Sequence, residues 1–383
     1  MTRIKSGPHC FEWFSTGFDL LEAKLQAIAQ ARETVRMETY IYADEEIGRR
    51  FRQALIEAGK RGVKVWLQVD AVGGMNLHRS YFAELSAVPG CTMKWFNELS
   101  LATWSFRDHR KLLIIDGETA FVGGCNIAEV YHGDGVTQGW RDGGMGIEGP
   151  VAKDLAAEFD TQFTTAQEKQ WRVLREAKRR GRGKSVQEDT VKALFIRPGF
   201  GNNPLRSAVR EDLKKAKDIC ITSAYFLPAR SMRRRMGAAV ARGASLRLLL
   251  GGKTDVRLMQ LATRSLYKRM LDAGMRVFEY LPQILHAKML IIDDVVYVGS
   301  SNLDPRSLRI NFEVMIRVQS ADLAKVAREQ FENDLALSEE VTPETCWEMS
   351  LFTRLQQKIA RWILARLDPR MSETMLRRLQ LRV

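Results

Sequence analysis

Two stretches of the chain carry the same set of reactive side chains at the same spacing. Residues 109–126 read HRKLLIIDGETAFVGGCN, and residues 286–302 read HAKMLIIDDVVYVGSSN. Each has a histidine, a lysine two places on and an aspartate after four further residues, then a Gly-rich turn and an asparagine. The repeated residues are His109, Lys111, Asp116 and Asn126, and His286, Lys288, Asp293 and Asn302. A chain that holds one reactive triplet twice is expected to be a duplicated fold with one site at its seam.

Two imidazoles and two ammonium groups that face one cavity suit chemistry at phosphorus. The motif lysines and the motif asparagine amides would bring positive charge and N–H donors to the non-bridging oxygens of a phosphate. One histidine can attack phosphorus in line, while the other protonates the leaving alkoxide and then deprotonates the incoming hydroxyl. Lysine charge replaces a metal ion in this scheme, so neither a metal nor another cofactor is expected.

A nucleophilic imidazole is usually held in one tautomer by a carboxylate on its other nitrogen. Asp142, in GWRD, lies 33 residues after His109, and Glu313, in NFE, lies 27 residues after His286. Both acids begin the strand that follows their own motif. The repeat therefore assigns Asp142 to His109 and Glu313 to His286.

The motif aspartates complete each triplet but lie far along the strand from the lysines. Asp116 and Asp293 follow the lysines by about five residues, or ~17 Å of extended chain. We expect them to tie down the turn rather than to carry protons. Cys125, inside the first motif, is likewise interpreted as turn packing rather than as a nucleophile.

The elements around the motifs predict strands that alternate with helices. Apolar spacing predicts a helix over 45–62 between strands at 35–42 and 63–70, an arrangement typical of βαβ units on a mostly parallel sheet. Inside each motif, an apolar run predicts a strand that returns as a hairpin. His109 and Lys111 share parity on that strand, so both side chains should point to the same face.

The second half of the chain repeats these elements. The motif histidines lie 177 residues apart, and the flanking elements keep nearly the same offset. The sequence thus predicts two duplicated α/β lobes, each a mixed, mostly parallel sheet flanked by helices, related by a pseudo-twofold axis. The predicted parts are an N-terminal lobe over 1–165, a basic linker over 166–192, a C-terminal lobe over 193–340 and a basic amphipathic tail over 341–383.

Composition limits the class of protein and its partners. The chain has 383 residues, of which 45% are hydrophobic, and its net charge is +13. Five scattered cysteines without a CxxC pair suit a reducing compartment and argue against a zinc site. A basic surface attracts nucleic acid or an anionic lipid leaflet, and charge alone does not choose between them. No stretch approaches the ~18–20 apolar residues that span a bilayer, so membrane contact should be peripheral.

The tail contains a candidate membrane-binding helix over 347–367. Its apolar residues recur at helical spacing, and basic residues occupy the rest of the wheel. Such a helix could lie in an anionic membrane interface or pack its apolar face on the body of the protein. Both alternatives remain open from the sequence.

The motifs resemble those of the phospholipase D superfamily, whose HxKxxxxD signature occurs in two copies. Within it, HRKLLIIDG, AFVGGCNIAEVY, GWRD and HAKMLIIDD with VGSSNLDPRSLRINFE are most similar to bacterial cardiolipin synthases of the shorter type without N-terminal membrane spans. The resemblance covers roughly residues 15–340. The first motif has Gly-Gly where many superfamily members have Gly-Ser, a feature that the synthase group shares. The second motif has one residue fewer between its aspartate and its glycine than the first, so its hairpin should be shorter.

The resemblance implies roles for the site residues and a reaction. It implies His109 as the nucleophile, His286 as the acid and base, and Asp142 and Glu313 as the carboxylates that support the histidines. The implied reaction moves a phosphatidyl group between phospholipids, for example from two phosphatidylglycerols to cardiolipin plus glycerol, through a phosphohistidine. The implied partners are anionic phospholipids, phosphatidylglycerol and cardiolipin, at the cytoplasmic face of a bacterial cell membrane.

Other functions compete with this interpretation. A hydrolase of the phospholipase D type would use water as the acceptor, and a nuclease or other phosphodiesterase of the superfamily would suit the net charge. Nucleic acid is disfavoured because no aromatic stripe interleaves with a basic groove. A non-catalytic membrane scaffold is disfavoured because it would not need both histidines and both lysines.

Overall fold

The N-terminal lobe is a sheet with helices against it. The computed structural model describes residues 3–98, 105–165, 185–187, 190–199, 203–344 and 350–372. The strands are β1 (Arg3–Ser6), β2 (His9–Phe14), β3 (Thr34–Thr39), β4 (Lys64–Asp70), β5 (Cys91–Phe96), β6 (Leu112–Ile115), β7 (Thr119–Gly123) and β8 (Gly144–Glu148). The helices are α1 (Gly17–Gln30), α2 (Glu46–Lys60), α3 (Ala83–Ala87) and α4 (Pro150–Thr165). The strand order is β1-β2-β8-β7-β6-β3-β4-β5.

The C-terminal lobe repeats this plan. Its strands are β9 (Ser185–Gln187), β10 (Val191–Ile196), β11 (Asp218–Ser223), β12 (Ser245–Gly251), β13 (Arg276–Tyr280), β14 (Lys288–Ile292), β15 (Val295–Gly299), β16 (Glu313–Gln319) and β17 (Ser338–Glu340). Its helices are α5 (Pro204–Asp212), α6 (Arg230–Ala241), α7 (Arg257–Arg264), α8 (Tyr267–Leu271), α9 (Pro305–Arg309) and α10 (Ala321–Ala336). The strand order is β17-β13-β12-β11-β14-β15-β16-β10-β9.

The predicted class of fold, two duplicated α/β lobes, is confirmed, but the sheets are not mostly parallel. Among the described strands, only β3–β4–β5 and β11–β12–β13 pair in parallel, and the other pairings are antiparallel. The reason is that each motif forms a hairpin, β6–β7 or β14–β15, whose outer strands also pair antiparallel with their neighbours. The βαβ expectation therefore holds only for the half of each sheet that precedes the motif.

Local sequence explains the elements that were predicted well. In α2 the residues Ile47, Phe51 and Leu55 recur every four positions and are fully buried against the sheet. Helix α1 begins after Thr16, whose Oγ1 accepts the backbone N–H of Asp19 at 3.1 Å. The predicted helix over 45–62 is observed at Glu46–Lys60.

Apolar side chains also join the two lobes. Each lobe has its own core beneath its outer helices, and a further core at the seam includes Leu155 and Phe159 of α4 with Ala327 and Phe331 of α10. These two helices follow the strands β8 and β16, so the repeat places them at equivalent positions on either side of the seam. The shared core fixes the motif hairpins of both lobes relative to one another.

The tail forms α11 (Leu351–Trp362), which continues into a π-helical turn at Ile363–Leu367. Part of the predicted helix, at 347–349, and most of the predicted linker, at 166–184, lie outside the described residues. Ala360 is buried, and α11 packs on α7 of the C-terminal lobe. Across the described residues, no helix combines the length and apolar composition that a membrane-spanning segment requires.

Candidate active site

Short parallel bridges join the lobes beside the first motif. Asp108 pairs with Phe312, and the backbone N–H of His109 donates to the carbonyl oxygen of Phe312 at 2.9 Å. Phe312 belongs to the C-terminal lobe and comes directly before Glu313. The bridge therefore places Glu313 of one lobe beside the motif histidine of the other.

The same exchange occurs beside the second motif. Arg141 of the N-terminal lobe pairs with Leu285, and the backbone N–H of His286 donates to the carbonyl oxygen of Arg141 at 2.8 Å. Arg141 comes directly before Asp142. Its guanidinium Nε also donates to Asp334 of α10 at 2.7 Å, which holds this strand end across the seam.

The supporting carboxylates are consequently exchanged between the motifs. Glu313 Oε1 lies 3.2 Å from His109 Nδ1, and Asp142 Oδ2 lies 2.6 Å from His286 Nδ1. The predicted assignment of each acid to the histidine of its own motif is wrong, because the strand that carries each acid extends across the seam. In both pairs the carboxylate contacts Nδ1, which leaves Nε2 for chemistry.

The pKa values of both histidines and both supporting carboxyl groups are shifted in the folded protein. Burial and then Lys111 lower the pKa of His109, against the opposing charge of Glu313. Burial and then Lys288 lower the pKa of His286, against Asp142. Burial alone would raise the pKa of each carboxyl group, but the neighbouring histidine reverses this and holds the pKa of Asp142 and Glu313 below the usual value. Each unit is thus a carboxylate beside an imidazole.

The motif lysines are buried beside the histidines. Lys111 Nζ donates to the backbone oxygen of His109 at 2.6 Å, and Lys288 Nζ lies 3.2 Å from His286 Nε2. Burial lowers the pKa of Lys111 to about 7, with a further contribution from the charge of Lys288. Burial also lowers the pKa of Lys288. Since Lys288 also lowers the pKa of His109, and Lys111 that of His286, the groups from both motifs share one site.

The predicted placement of histidine and lysine on one strand needs correction. β6 begins at Leu112 and β14 begins at Lys288, so His109, Lys111 and His286 lie ahead of the regular strands. The backbone at the histidines instead pairs across the seam. This pairing brings the histidine of one lobe to the acid of the other.

The motif asparagines occupy equivalent positions. Asn126 Oδ1 accepts the backbone N–H of Ile41 at 3.0 Å, and Asn302 Oδ1 accepts that of Tyr225 at 3.3 Å. The second hairpin is shorter only at its turn, where Ile292 pairs with Val295. The missing residue therefore leaves the asparagine contact in place.

The motif aspartates lie at the turns. Asp116 Oδ1 accepts the N–H groups of Glu33 and Thr34, each at 2.8 Å, and its Oδ2 accepts that of Arg32 at 3.1 Å. Asp293 accepts the N–H of Asp218 at 2.9 Å in the same way. Both aspartates have positive φ, 54° and 50°. Each carboxylate thus fastens its hairpin turn to the start of the neighbouring strand.

The Gly-Gly of the first motif is explained by its acid. A Cβ at Gly124 would lie 2.4 Å from both carboxylate oxygens of Asp142. The equivalent position in the second motif is Ser300, whose hydroxyl donates to Glu313 Oε2 at 2.5 Å. The glycine therefore makes room for one acid, while the serine orients the other.

Several residues around the histidines were missed by sequence reasoning. The ring of Tyr40 lies 4.9 Å from His109, and the rings of Tyr131 and Trp140 lie 5.1 and 5.4 Å from His286. Lys24 of α1 is also buried, and its pKa is lowered by burial, with Asp142 among the opposing charges. The repeat offered one indication of Tyr40. Ile41 and Tyr225 make equivalent contacts with the motif asparagines, so the residues before them, Tyr40 and Ala224, also correspond. The two halves of the chain therefore differ at this position.

Comparison with solved structures identifies the class of this fold. Phosphatidylserine synthase of Haemophilus influenzae Rd KW20 aligns with a TM-score of 0.74 at 14% identity over 96% of this chain and 95% of its own. Polyphosphate kinase of Porphyromonas gingivalis aligns with a TM-score of 0.55 at 12% identity, over 85% of this chain and 50% of its own. The duplicated α/β lobes with paired motifs are the phospholipase D fold.

Sequence comparison narrows the family. The profile described as "Cardiolipin synthase, PLD-like domain" matches residues 25–134 and 209–335. Cardiolipin synthase A of Pseudomonas putida (strain W619) is 31% identical over 89% of this chain and 72% of its own length. Cardiolipin synthase of Clostridium perfringens (strain SM101 / Type A) is 29% identical over 90% and 74%. The chain belongs to this cardiolipin synthase family of phospholipase D-like proteins.

Proposed function

We propose that the chain is a phosphatidyltransferase that makes cardiolipin through a phosphohistidine at His109. The observation that carries the proposal is the crossed pair of His–carboxylate units, with a motif lysine beside each histidine. Two such units facing one phosphate suit a double displacement, in which one imidazole forms and later loses a bond to phosphorus. The lipid substrate is inferred from the names of the relatives.

In the first step, His109 Nε2 attacks the phosphorus of phosphatidylglycerol. The bond from phosphorus to the glycerol headgroup breaks, and His286, which the anionic phosphate and Asp142 together hold protonated in the substrate complex, gives its proton to the departing oxygen. Glycerol leaves, and the phosphatidyl group stays on His109. Lys111 and Lys288, with the amides of Asn126 and Asn302, stabilise the charge on the non-bridging oxygens.

In the second step, the headgroup hydroxyl of another phosphatidylglycerol takes the place of glycerol. It gives its proton to His286 and attacks phosphorus, and the phosphorus–nitrogen bond breaks. Cardiolipin leaves, and both histidines return to their starting state. His286 has thereby regained the proton that it gave to glycerol, and no cofactor takes part.

Exposure supports the assignment of roles. The side chain of His109 is 14% exposed and that of His286 is 5% exposed. A nucleophile must reach phosphorus itself, whereas an acid and base needs only to reach the oxygen beyond it. His286 is also enclosed by Tyr131 and Trp140. These differences favour His109 as the nucleophile.

Lipid substrates require contact with a membrane. We propose peripheral association with anionic phospholipids at the cytoplasmic face of a bacterial membrane. The net charge of +13 and the exposed apolar residues of α11 support this proposal.

The test is to incubate purified protein with phosphatidylglycerol vesicles and resolve the products by mass spectrometry. Cardiolipin plus glycerol supports the synthase. Phosphatidic acid as the sole lipid product would indicate a hydrolase, and nicked DNA without any lipid product would overturn the lipid assignment. Peptide mapping after a rapid quench at alkaline pH, where phosphohistidine persists, should locate the phosphatidyl group on His109.

Variants separate the chemistry from the fold. His109→Ala and His286→Ala should each abolish turnover while circular dichroism and thermal unfolding remain native-like. Substantial turnover in both variants would refute the mechanism. A label on His286 rather than His109 would reverse the roles but keep the double displacement.

A further inference from the structure

A cavity of about 1000 Å³ lies between α11 and the C-terminal lobe. Its wall combines α6, α8 and α9 with α11 and the π-helical turn that follows. Among the described residues that line it, nine are Lys or Arg and none is Asp or Glu. Because these lining residues include no acid, the counter-charge for the cations would have to come from a bound anion.

The guanidinium groups repel one another inside this cavity. Burial lowers the pKa of Arg233, and the charges of Arg269 and Arg361 lower it further. Burial and then Arg269 lower the pKa of Arg361 in the same way. Arg206, at another part of the wall, has a pKa lowered by burial and by Arg309. Like charges gathered in one cavity repel one another, and an anion placed among them would relieve that repulsion.

Apolar side chains also line the cavity. Leu227, Met270, Met275 and Leu308 lie among the basic residues of the lining. A free inorganic anion would make no favourable contact with them. A lipid, which carries both a phosphate and the glycerol and acyl carbons beside it, matches a lining that combines cations with apolar side chains.

The exposed side of α11 also favours a lipid. Phe352, Leu355, Ile359 and Trp362 recur at one side of the helix and are 68%, 54%, 49% and 53% exposed. The opposite side, at Ala360, packs on the C-terminal lobe. A packed helix that keeps four large apolar side chains in solvent beside a basic cavity has the form of an interfacial helix.

We propose that this cavity holds the phosphate headgroup of an anionic membrane lipid while the apolar side of α11 enters the lipid surface. The occupant is a lipid in the bilayer, and the cavity is separate from the histidine site. Helix α9 lies in the chain between Asn302 and Glu313 and lines the cavity with Pro305 and Arg309. Docking at this cavity would therefore hold the membrane against the element that connects two residues of the candidate active site.

The test compares binding to sedimented vesicles of phosphatidylcholine with and without phosphatidic acid, which has no headgroup alcohol to transfer. The cavity variant is Arg233→Gln/Arg269→Gln/Arg361→Gln. The matched control is Lys64→Gln/Lys153→Gln/Lys325→Gln, which removes the same charge from exposed positions on β4, α4 and α10. At about tenfold or less per basic residue near an anionic surface, the cavity variant should bind anionic vesicles on the order of 100-fold more weakly. The control should bind like the wild type.

Stability gives a second readout that a merely structural role would not produce. Removing mutual repulsion should leave the cavity variant at least as stable to heat as the wild type. If the triple variant fails to fold, Arg361→Gln alone, on α11, carries the same comparison with Lys64→Gln. Retained binding of anionic vesicles by a folded cavity variant would overturn the proposal.

A soluble ligand is the other outcome to be separated. Stabilisation of the wild type by inorganic phosphate that is lost in the cavity variant, with vesicle binding unchanged, would assign the cavity to a free phosphate compound and reject the lipid. Binding is scored without turnover. A chain that docks on vesicles but makes no cardiolipin would refute the proposed function and leave this inference standing.

Discussion

Glu313 of the C-terminal lobe contacts His109 of the N-terminal lobe, with Glu313 Oε1 3.2 Å from His109 Nδ1. The reciprocal contact joins Asp142 to His286. Neither lobe alone contains a motif histidine together with its carboxylate. The candidate site therefore exists only when the seam is closed, and each histidine reports on the packing of the other lobe.

The crossed arrangement predicts which imidazole responds to which acid. A nearby carboxylate raises the pKa of an imidazole, so its removal should lower that pKa. Glu313→Gln should lower the pKa of His109 and leave His286 nearly unchanged, and Asp142→Asn should do the reverse. Nitrogen NMR of histidine-labelled protein over a pH titration measures both. A shift of His286 in Glu313→Gln would contradict the crossed contacts.

The glycine of the first motif predicts a second effect. In Gly124→Ala the new methyl group would meet both oxygens of Asp142 at 2.4 Å, so the carboxylate must leave His286. Turnover should fall by about 10²–10⁴-fold, the range for a displaced acid–base group. The control is Gly146→Ala on β8, where the nearest atom lies at 3.3 Å. Equal activity of the two variants in the vesicle assay would show that Asp142 is not held by this contact.

Sequence patterns predicted the features that depend on residues close together in the chain or on the repeat. The spacing of Ile47, Phe51 and Leu55 located α2, and the repeat found the motif residues that the structure brings together. The partner of each histidine could not be predicted in this way. It depends on where the strand before Asp142 or Glu313 meets the other lobe, and no local pattern records a contact 204 residues apart in the chain.

The same reason explains the residues that were missed. Tyr40 follows the end of β3 and Lys24 lies on α1, and nothing in their own segments indicates a nearby active site. Both residues lie near the site because elements that are distant in the sequence pack together. The motif hairpins were predicted, but their antiparallel pairing with the neighbouring strands was missed, because the helix-and-strand alternation before the motif was extended to the strands beyond it.

The lowered pKa of Lys111 predicts a loss of activity in alkali. Its folded pKa of about 7 lies below its ordinary value of 10.5, so the free enzyme loses this charge as the pH rises through about 7. Since the ammonium group is proposed to bind the phosphate, kcat/KM should fall above that pH. Lys111→Arg, whose side chain stays charged, should move the alkaline limb upward. An unchanged limb would assign it to another group.

The buried charge of Lys111 should lower the stability of the folded protein, although the proposed reaction requires it. At neutral pH its charge is desolvated, so the folded state binds a proton less readily than the unfolded state. The stability of the wild type should accordingly rise between about pH 7 and 10.5 as the unfolded chain also loses that proton. Lys111→Met should be inactive yet as stable as the wild type or more stable, by up to about 1–4 kcal/mol in urea unfolding at pH 7. A variant less stable than the wild type would mean that the ammonium group contributes to folding.

The motif aspartates predict the opposite pattern, in which stability changes and chemistry does not. Asp116 accepts three backbone N–H groups at the turn, so Asp116→Ala should lower the free energy of unfolding by about 1–3 kcal/mol. Asp116→Asn keeps one acceptor oxygen and tolerates the positive φ of 54°, so its loss should be smaller. Turnover per folded molecule, with the folded fraction measured by urea unfolding, should remain close to that of the wild type in both variants. A stable Asp116→Asn protein without turnover would instead place Asp116 in the reaction, because a turn-fastening role cannot stop chemistry in a folded enzyme.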